Sequence, residues 1–123
     1  MDCIFCKIIA GEMTAQMIYE NDKIFAFMDA FPVSKGHVLV VPREHHVDLL
    51  DTPDETLQEM ITKTKQIAPA VVSAVNAEGF VISSNTKKAA GQSVFHTHLH
   101  IIPRWENDGL KNWPPAKTPS PEE

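Results

Sequence analysis

Hydrophobic positions recur along this chain with two periods, one near 3.6 and one near 2. Ile4, Phe5, Ile8 and Ile9 fall at helical spacing over residues 3–10, and Gly11 ends the run. Residues 16–20 read as a short strand and Asn21-Asp22 as a turn. Ile24-Phe25-Ala26-Phe27-Met28-Asp29 is then the returning strand of a hairpin. After the loop Phe31-Pro32-Val33-Ser34-Lys35-Gly36 comes His37-Val38-Leu39-Val40-Val41. This β-branched run, closed by Pro42, is expected as a largely buried strand. Thr52, Pro53 and Glu55 together spell a helix start, with Thr52 as cap, Pro53 at the first helical position and Glu55 completing a capping box. Leu57, Met60, Ile61, Thr64, Ala68, Val71, Val72 and Val75 share one face of that helix; Pro69 is expected to kink or break it, and Gly79 to terminate it. Phe80 to Ser84 and Ser93 to Pro103 read as the last two strands, separated by a polar loop from Asn85 to Gln92. The order predicts an α+β fold: a mainly antiparallel five-stranded sheet with one short and one long helix. Residues 1–115 are expected to form one domain and 116–123 a flexible tail rich in Pro and charge.

Composition narrows the function classes. The 123 residues are 43% apolar and 22% charged, an ordinary globular balance. Eleven Lys and Arg stand against 16 acids, a net charge of -5, which argues against a broad nucleic-acid or membrane-surface footprint. No apolar run approaches the roughly 20 residues of a membrane span, and Met1 to Lys7 does not read as a secretory signal. A cytoplasmic protein is expected. There, two cysteines spaced as Cys3-Ile4-Phe5-Cys6 favour metal or redox chemistry over a structural disulfide.

The chemistry concentrates in His96-Thr97-His98-Leu99-His100. On a strand, the three histidines share one face and Thr97 and Leu99 the other. A row of imidazoles is poor core filler, because every ring brings two polar nitrogens. Adjacent parallel rings also converge badly on a single ion. The arrangement suits nucleophilic attack on phosphorus by a neutral imidazole, with a neighbouring ring donating to phosphate oxygens. The preceding loop supplies Gly91 for close backbone approach and Asn85, Gln92 and Ser93 as side-chain donors. Neither a Walker-type lysine loop nor a dinucleotide glycine fingerprint is present.

Gly91-Gln92-Ser93-Val94-Phe95-His96-Thr97-His98-Leu99-His100-Ile101-Ile102-Pro103-Arg104 resembles the signature of the histidine-triad (HIT) superfamily, His-φ-His-φ-His-φ-φ with φ apolar; Thr97 departs from it at one φ position. Cys3 to Ile9, Ala26 to Asp29 and Gly36 to Pro42 resemble its N-terminal half, and Asn112-Trp113-Pro114-Pro115 resembles the end of the Hint branch. The resemblance implies a homodimeric nucleotide-binding hydrolase, with the sheet extended across the dimer. It implies attack at the α-phosphate of purine nucleotides, of nucleoside phosphoramidate or aminoacyl-adenylate type, through a covalent nucleotidyl-histidine intermediate. His98 is then the nucleophile, His100 the donor to a phosphate oxygen, Ser93 a contact near the leaving group and His37 a supporting histidine behind the triad. Backbone amides near His98 and Ser93 would stabilise developing charge. Asp29 resembles the ribose-binding acid, and Phe5, Ile8, Phe27 and Leu39 the apolar base pocket. Asn85, Gly91, Gln92 and Val94 join the nucleotide contacts. A dinucleoside polyphosphate hydrolase and a non-catalytic nucleotide-sensing or scaffold protein are the competing readings.

Cys3 and Cys6 make half a zinc site, and the remaining ligands must be histidines. His45, His46 and His96 are the candidates. Members with this cysteine pair resemble a Cys-Cys-His-His arrangement, which maps to Cys3, Cys6, His45 and His96 around a structural zinc and leaves His98 free for chemistry. His46 is then expected to face solvent.

Overall fold

The chain was analysed as a computed structural model that describes residues 3–114. The expected tail at 116–123 and Pro115, the last residue of the expected domain, lie outside the described residues. Helix α1 spans Ile4–Ile9. Strands β1 (Met17–Glu20), β2 (Ile24–Met28) and β3 (Val38–Pro42) follow, then the long helix α2 (Asp54–Ala74), β4 (Gly79–Ser83) and β5 (Leu99–Arg104). The five strands form one antiparallel sheet in the order β1-β2-β3-β5-β4, the α+β architecture read from the sequence.

Strand periodicity divides the core in two. Ile24 and Ala26 of β2, Val38 and Val40 of β3, and Leu99 and Ile101 of β5 point to one face, where Met60, Ile67, Ala68 and Val71 of α2 cover them. Phe25 and Phe27 of β2, with Leu39 and Val41 of β3, point to the other and meet Cys3 and Phe5 at α1. β2 and β3 are thus buried on both sides, which explains their unbroken apolar runs. The register sets Leu39 opposite His100 and Val40 opposite Leu99, so His100 stands on the α1 face.

Four local expectations change. Pro69 leaves α2 continuous over its 21 residues. Pro69 and Lys65 are both exposed, so the Lys65 carbonyl that Pro69 cannot serve faces water. Gly79 opens β4 instead of ending the helix; Asn76, at φ 53°, takes the left-handed position after it. Pro53, not Thr52, is the cap residue of α2, and it makes no side-chain capping bond; the Thr52 hydroxyl turns to the Asp48 carbonyl and to Thr97, at 2.7 Å each. Finally, β5 begins only at Leu99. His96 and His98 precede it in irregular backbone, because the segment leaves β3 and its Thr97 amide donates to the His46 carbonyl at 2.8 Å. The three histidines therefore do not line one strand face.

Gly36 sits where the β2–β3 loop crosses the sheet end. It holds φ +86°, and a Cβ there would lie 3.1 Å from Val75 and 3.3 Å from Pro103. Only glycine meets both demands.

Candidate active site

A cavity of about 490 Å³ opens on the α1 face of the sheet, within the roughly 300–1,000 Å³ usual for small-molecule sites. One end is apolar, with Phe5 and Ile8 from α1, Phe27 from β2 and Leu39 from β3. Asp29, just past β2, stands on its rim, and Ser93, Val94, His98 and His100 form the other end. These nine residues, each a sequence candidate, are brought together. Asn85, Gly91 and Gln92 are not among the lining residues. The Asn85 amide donates to the Ala90 carbonyl at 2.8 Å, closing the loop, and Gly91 takes φ +91° after its 3-10 turn. Gln92 is buried, and its side chain is spent on backbone: it accepts from the Lys87 amide and donates to the Val47 carbonyl, both at 2.7 Å, and to the Val94 carbonyl at 3.1 Å. Ile4 and Met13, on short α1 and in the loop after it, and Phe31, in the β2–β3 loop, also line the cavity and were missed, since none of these segments carries a pattern that points them there.

The hydrogen bonds assign a tautomer to each key ring. His98 Nδ1–H donates to the His96 carbonyl at 2.7 Å, which leaves Nε2 with its lone pair. The same peptide unit is held from behind, because the Thr97 amide donates to His46. His37 Nδ1 accepts from the Val33 amide at 3.0 Å, so its Nε2–H donates to His100 Nδ1 at 2.9 Å. His100 therefore carries its proton on Nε2. Asp29 lies 3.5 Å from His37 Nε2 and anchors its own turn by accepting from the Phe31 amide at 2.9 Å. The rings stack edge to face: His98 to Phe5 at 5.1 Å and to His100 at 4.9 Å between centroids.

Burial keeps these imidazoles neutral. Desolvation lowers the pKa of His98 against the opposing pull of the His96 carbonyl and Asp29. It lowers His100 to about 4, assisted by His98 and His37. His37 is lowered by burial, with Asp29 working the other way. The result is one imidazole with a free Nε2 lone pair beside a second with an Nε2–H to donate.

His96 does not line this cavity. It is fully buried, and its Nε2–H donates to the Pro42 carbonyl at 2.8 Å, so Nδ1 presents a lone pair. That nitrogen lies 3.3 Å from Cys3 Sγ, 3.5 Å from Cys6 Sγ and 3.2 Å from His45 Nδ1, and Cys6 Sγ lies 3.3 Å from His45 Nδ1. Cys3 caps α1 and Cys6 lies one turn on, which places both thiols on one side. A tetrahedral zinc with Zn–S of about 2.3 Å and Zn–N of about 2.1 Å has N–N and N–S edges of roughly 3.4–3.6 Å. The four donor atoms lie within 4.8 Å of one another, and their spacing and chemistry fit such an ion. His46 departs from expectation: its Nε2 is buried without a partner among the described residues.

No helix among the described residues is long and apolar enough to cross a membrane.

Comparison with known proteins agrees with this geometry. The HIT domain family model matches residues 10–107. An uncharacterized HIT-like protein of Saccharolobus solfataricus is 41% identical over 122 residues, 98% of this chain and 88% of that protein. Adenylylsulfatase HINT3 of Arabidopsis thaliana is 43% identical over 109 residues, 89% of this chain but only 55% of that protein. Among solved structures, a Zn-bound histidine triad family protein from Mycobacterium smegmatis superposes with a TM-score of 0.85 at 42% identity, covering 89% of this chain and 80% of that one. This chain belongs to the HIT domain family.

Proposed function

We propose that the protein is a nucleotide hydrolase that cleaves at the α-phosphorus of purine nucleotides, with nucleoside phosphoramidates or aminoacyl-adenylates as the substrate class and His98 as nucleophile. The observation that carries this is the His98 tautomer: Nδ1–H is committed to the His96 carbonyl, so Nε2 is the free nitrogen of a ring lining a nucleotide-sized cavity. The name of the Arabidopsis relative, which describes release of sulfate from an adenylyl group, supports the same bond position.

In this reading the base lies among Phe5, Ile8, Phe27 and Leu39, and Asp29 accepts from the ribose hydroxyls. With a phosphoramidate, the Nε2 lone pair of His98 bonds to phosphorus as the bond to the leaving nitrogen breaks. The amine takes that electron pair and a proton from water, and leaves neutral. With an aminoacyl-adenylate the bond that breaks is P–O, and the carboxylate leaves with the electron pair and needs no proton. The nucleotidyl-imidazole carries positive charge, which strengthens its Nδ1–H bond to His96. Water then attacks phosphorus and gives its proton to the hydroxide left by the first step (or, after a carboxylate leaving group, to solvent), restoring neutral His98 and a nucleoside monophosphate. His100 Nε2–H donates to a non-bridging oxygen throughout, held in that tautomer by His37. Ser93, at the border of the phosphate end, contacts the leaving group.

Zinc, held by Cys3, Cys6, His45 and His96, would cross-link α1 to the segments after β3 and before β5 and serve structure, not chemistry. A homodimer would form through β4, the edge strand whose Phe80, Val81 and Ile82 are 43%, 37% and 37% exposed. The test of the reaction is incubation with adenosine 5′-phosphoramidate. The wild type should release AMP; His98→Ala should lose turnover and still bind AMP. Near-normal turnover by His98→Ala would overturn the assignment.

A further inference from the structure

The proposed reaction needs His100 to show a proton, not a lone pair, to the phosphate. Either neutral tautomer is open to an imidazole, so the choice is made outside the ring. His100 Nδ1 accepts from His37 Nε2–H at 2.9 Å, and His37 is protonated there because its Nδ1 accepts from the Val33 amide at 3.0 Å. A backbone amide has one fixed proton and cannot reverse its role, whereas each imidazole can. The Val33 N–H therefore sets the direction of both bonds. With that amide withdrawn, His37 is free to carry its proton on Nδ1. His100 then carries its own on Nδ1, facing the His37 lone pair, and its Nε2 turns a lone pair on the phosphate oxygen.

Val33 lies in the β2–β3 loop, where Phe31, Val33 and Lys35 are all exposed, so packing does little to hold it. The side chain that reaches from this loop to β5 is Ser34, whose hydroxyl donates to the Pro103 carbonyl at 2.7 Å. Strand geometry explains why that carbonyl is available. Carbonyls alternate sides along an antiparallel strand. The Arg104 carbonyl accepts at 2.9 Å from Glu78, just before β4, so the Pro103 carbonyl looks to the β3 side. There the ladder ends at Val38 opposite Ile101, and continuing the register would set Gly36 against Pro103. Pro103 is fully buried, so its carbonyl requires a protein donor, and Ser34 supplies it. The Ser34 carbonyl in turn accepts from the His37 amide at 3.2 Å, closing the turn that leads into β3.

We propose that Ser34 is a positioning residue of the reaction: its bond to Pro103 holds the Val33 amide on His37 and thereby keeps the His100 proton facing the phosphate. Ser34 is not among the residues lining the nucleotide cavity, so it acts through the loop and not by contact. The inference rests on the reading of His100 as donor to a phosphate oxygen.

The test uses the full-length protein with Ser34→Ala, which removes the hydroxyl, and Ser34→Thr, which keeps one. Ring-nitrogen chemical shifts of nitrogen-15-labelled histidines separate the two neutral tautomers, and kcat and KM are measured with adenosine 5′-phosphoramidate. In the wild type both His37 and His100 should read as Nε2–H. In Ser34→Ala a part of both should read as Nδ1–H. Removing such a donor outright costs about a hundredfold or more, so this partial inversion should lower kcat about fivefold, with KM changed by less than about twofold. Ser34→Thr should match the wild type in both readouts. A merely structural role would lower Tm and leave both rings as Nε2–H. Wild-type shifts in Ser34→Ala therefore overturn the clasp, and altered tautomers with unchanged kcat overturn its part in the reaction. Absence of turnover in the wild type overturns the catalytic reading instead, and the shifts still decide the clasp.

Discussion

The buried hydroxyl pair Thr52–Thr97 joins residues 45 positions apart at 2.7 Å, and Thr97 immediately precedes His98, the proposed nucleophile. Thr52 also donates to the Asp48 carbonyl at 2.7 Å, so the short bonds form one chain: Thr97 to Thr52 to Asp48. Each hydroxyl has a single proton, so this order uses both. Thr97→Val keeps the shape and removes the first bond; the Thr52 hydroxyl still has Asp48, and the loss should be about 1 kcal/mol. Thr52→Val leaves the Thr97 proton only the His46 carbonyl, at 3.2 Å, and should cost about 1–2 kcal/mol. The double variant leaves neither hydroxyl stranded. Its cost should be close to that of Thr52→Val alone, a coupling of about 1 kcal/mol. With a urea m-value of roughly 1.5 kcal/mol/M, Thr52→Val moves the midpoint by about 1 M. Urea titrations of the four proteins, read by circular dichroism, measure the cycle. Turnover of adenosine phosphoramidate by Thr97→Val should drop several-fold in kcat with little change in KM, because the peptide that orients His98 loosens. Strict additivity of the two single losses would refute the chain.

His37→Ala should lower kcat about tenfold or more, with AMP affinity retained, because His100 then loses the partner that keeps its proton on Nε2; titration calorimetry beside the rate assay separates the two. Acid should destabilise the fold through His100, whose folded pKa of about 4 lies below its ordinary 6.5. The unfolded chain takes up the proton first, so this contribution is full above pH 6.5 and is lost as pH falls toward 4; urea midpoints between pH 7.5 and 5 should fall less steeply in His100→Asn. Cys3→Ser and Cys6→Ser should each lower zinc content measured by elemental analysis and reduce Tm, and unchanged metal in both would rule out the site. Val81→Lys should shift sedimentation from dimer to monomer if the β4 edge joins two copies.

The sheet was legible because β2 and β3 carry unbroken apolar runs that only a strand buried on both faces needs. The grouping of Cys3, Cys6, His45 and His96 was legible through the family resemblance, which singled out those two histidines as partners of the cysteine pair. The strand assigned to His96 and His98 was not recovered. Period two describes 96–104 equally well whether or not a neighbouring strand is present, and Val40 opposite Leu99 is where the β3 pairing stops. Pro69 misled because a local rule cannot know that its face looks to solvent. Gln92 and Thr52 misled for a related reason. Each has the right chemistry for a phosphate contact or a helix cap, but a backbone carbonyl elsewhere claimed it first, Val47 for Gln92 and Asp48 for Thr52. Residues 43–52, which accept most of these bonds, have almost no regular secondary structure and hence no periodic signal.

His96 belongs to two centres at once. Its ring faces the cysteines, and its carbonyl holds the ring of His98. If metal and nucleotide bind as proposed, this peptide unit is a physical path by which occupancy at one centre can bias the other. Whatever factor a bound metal contributes to nucleotide affinity, a bound nucleotide must return to metal affinity, in the same sense and the same amount. On that proposal, stripping the metal would shift nucleotide occupancy, with a single peptide unit as the lever.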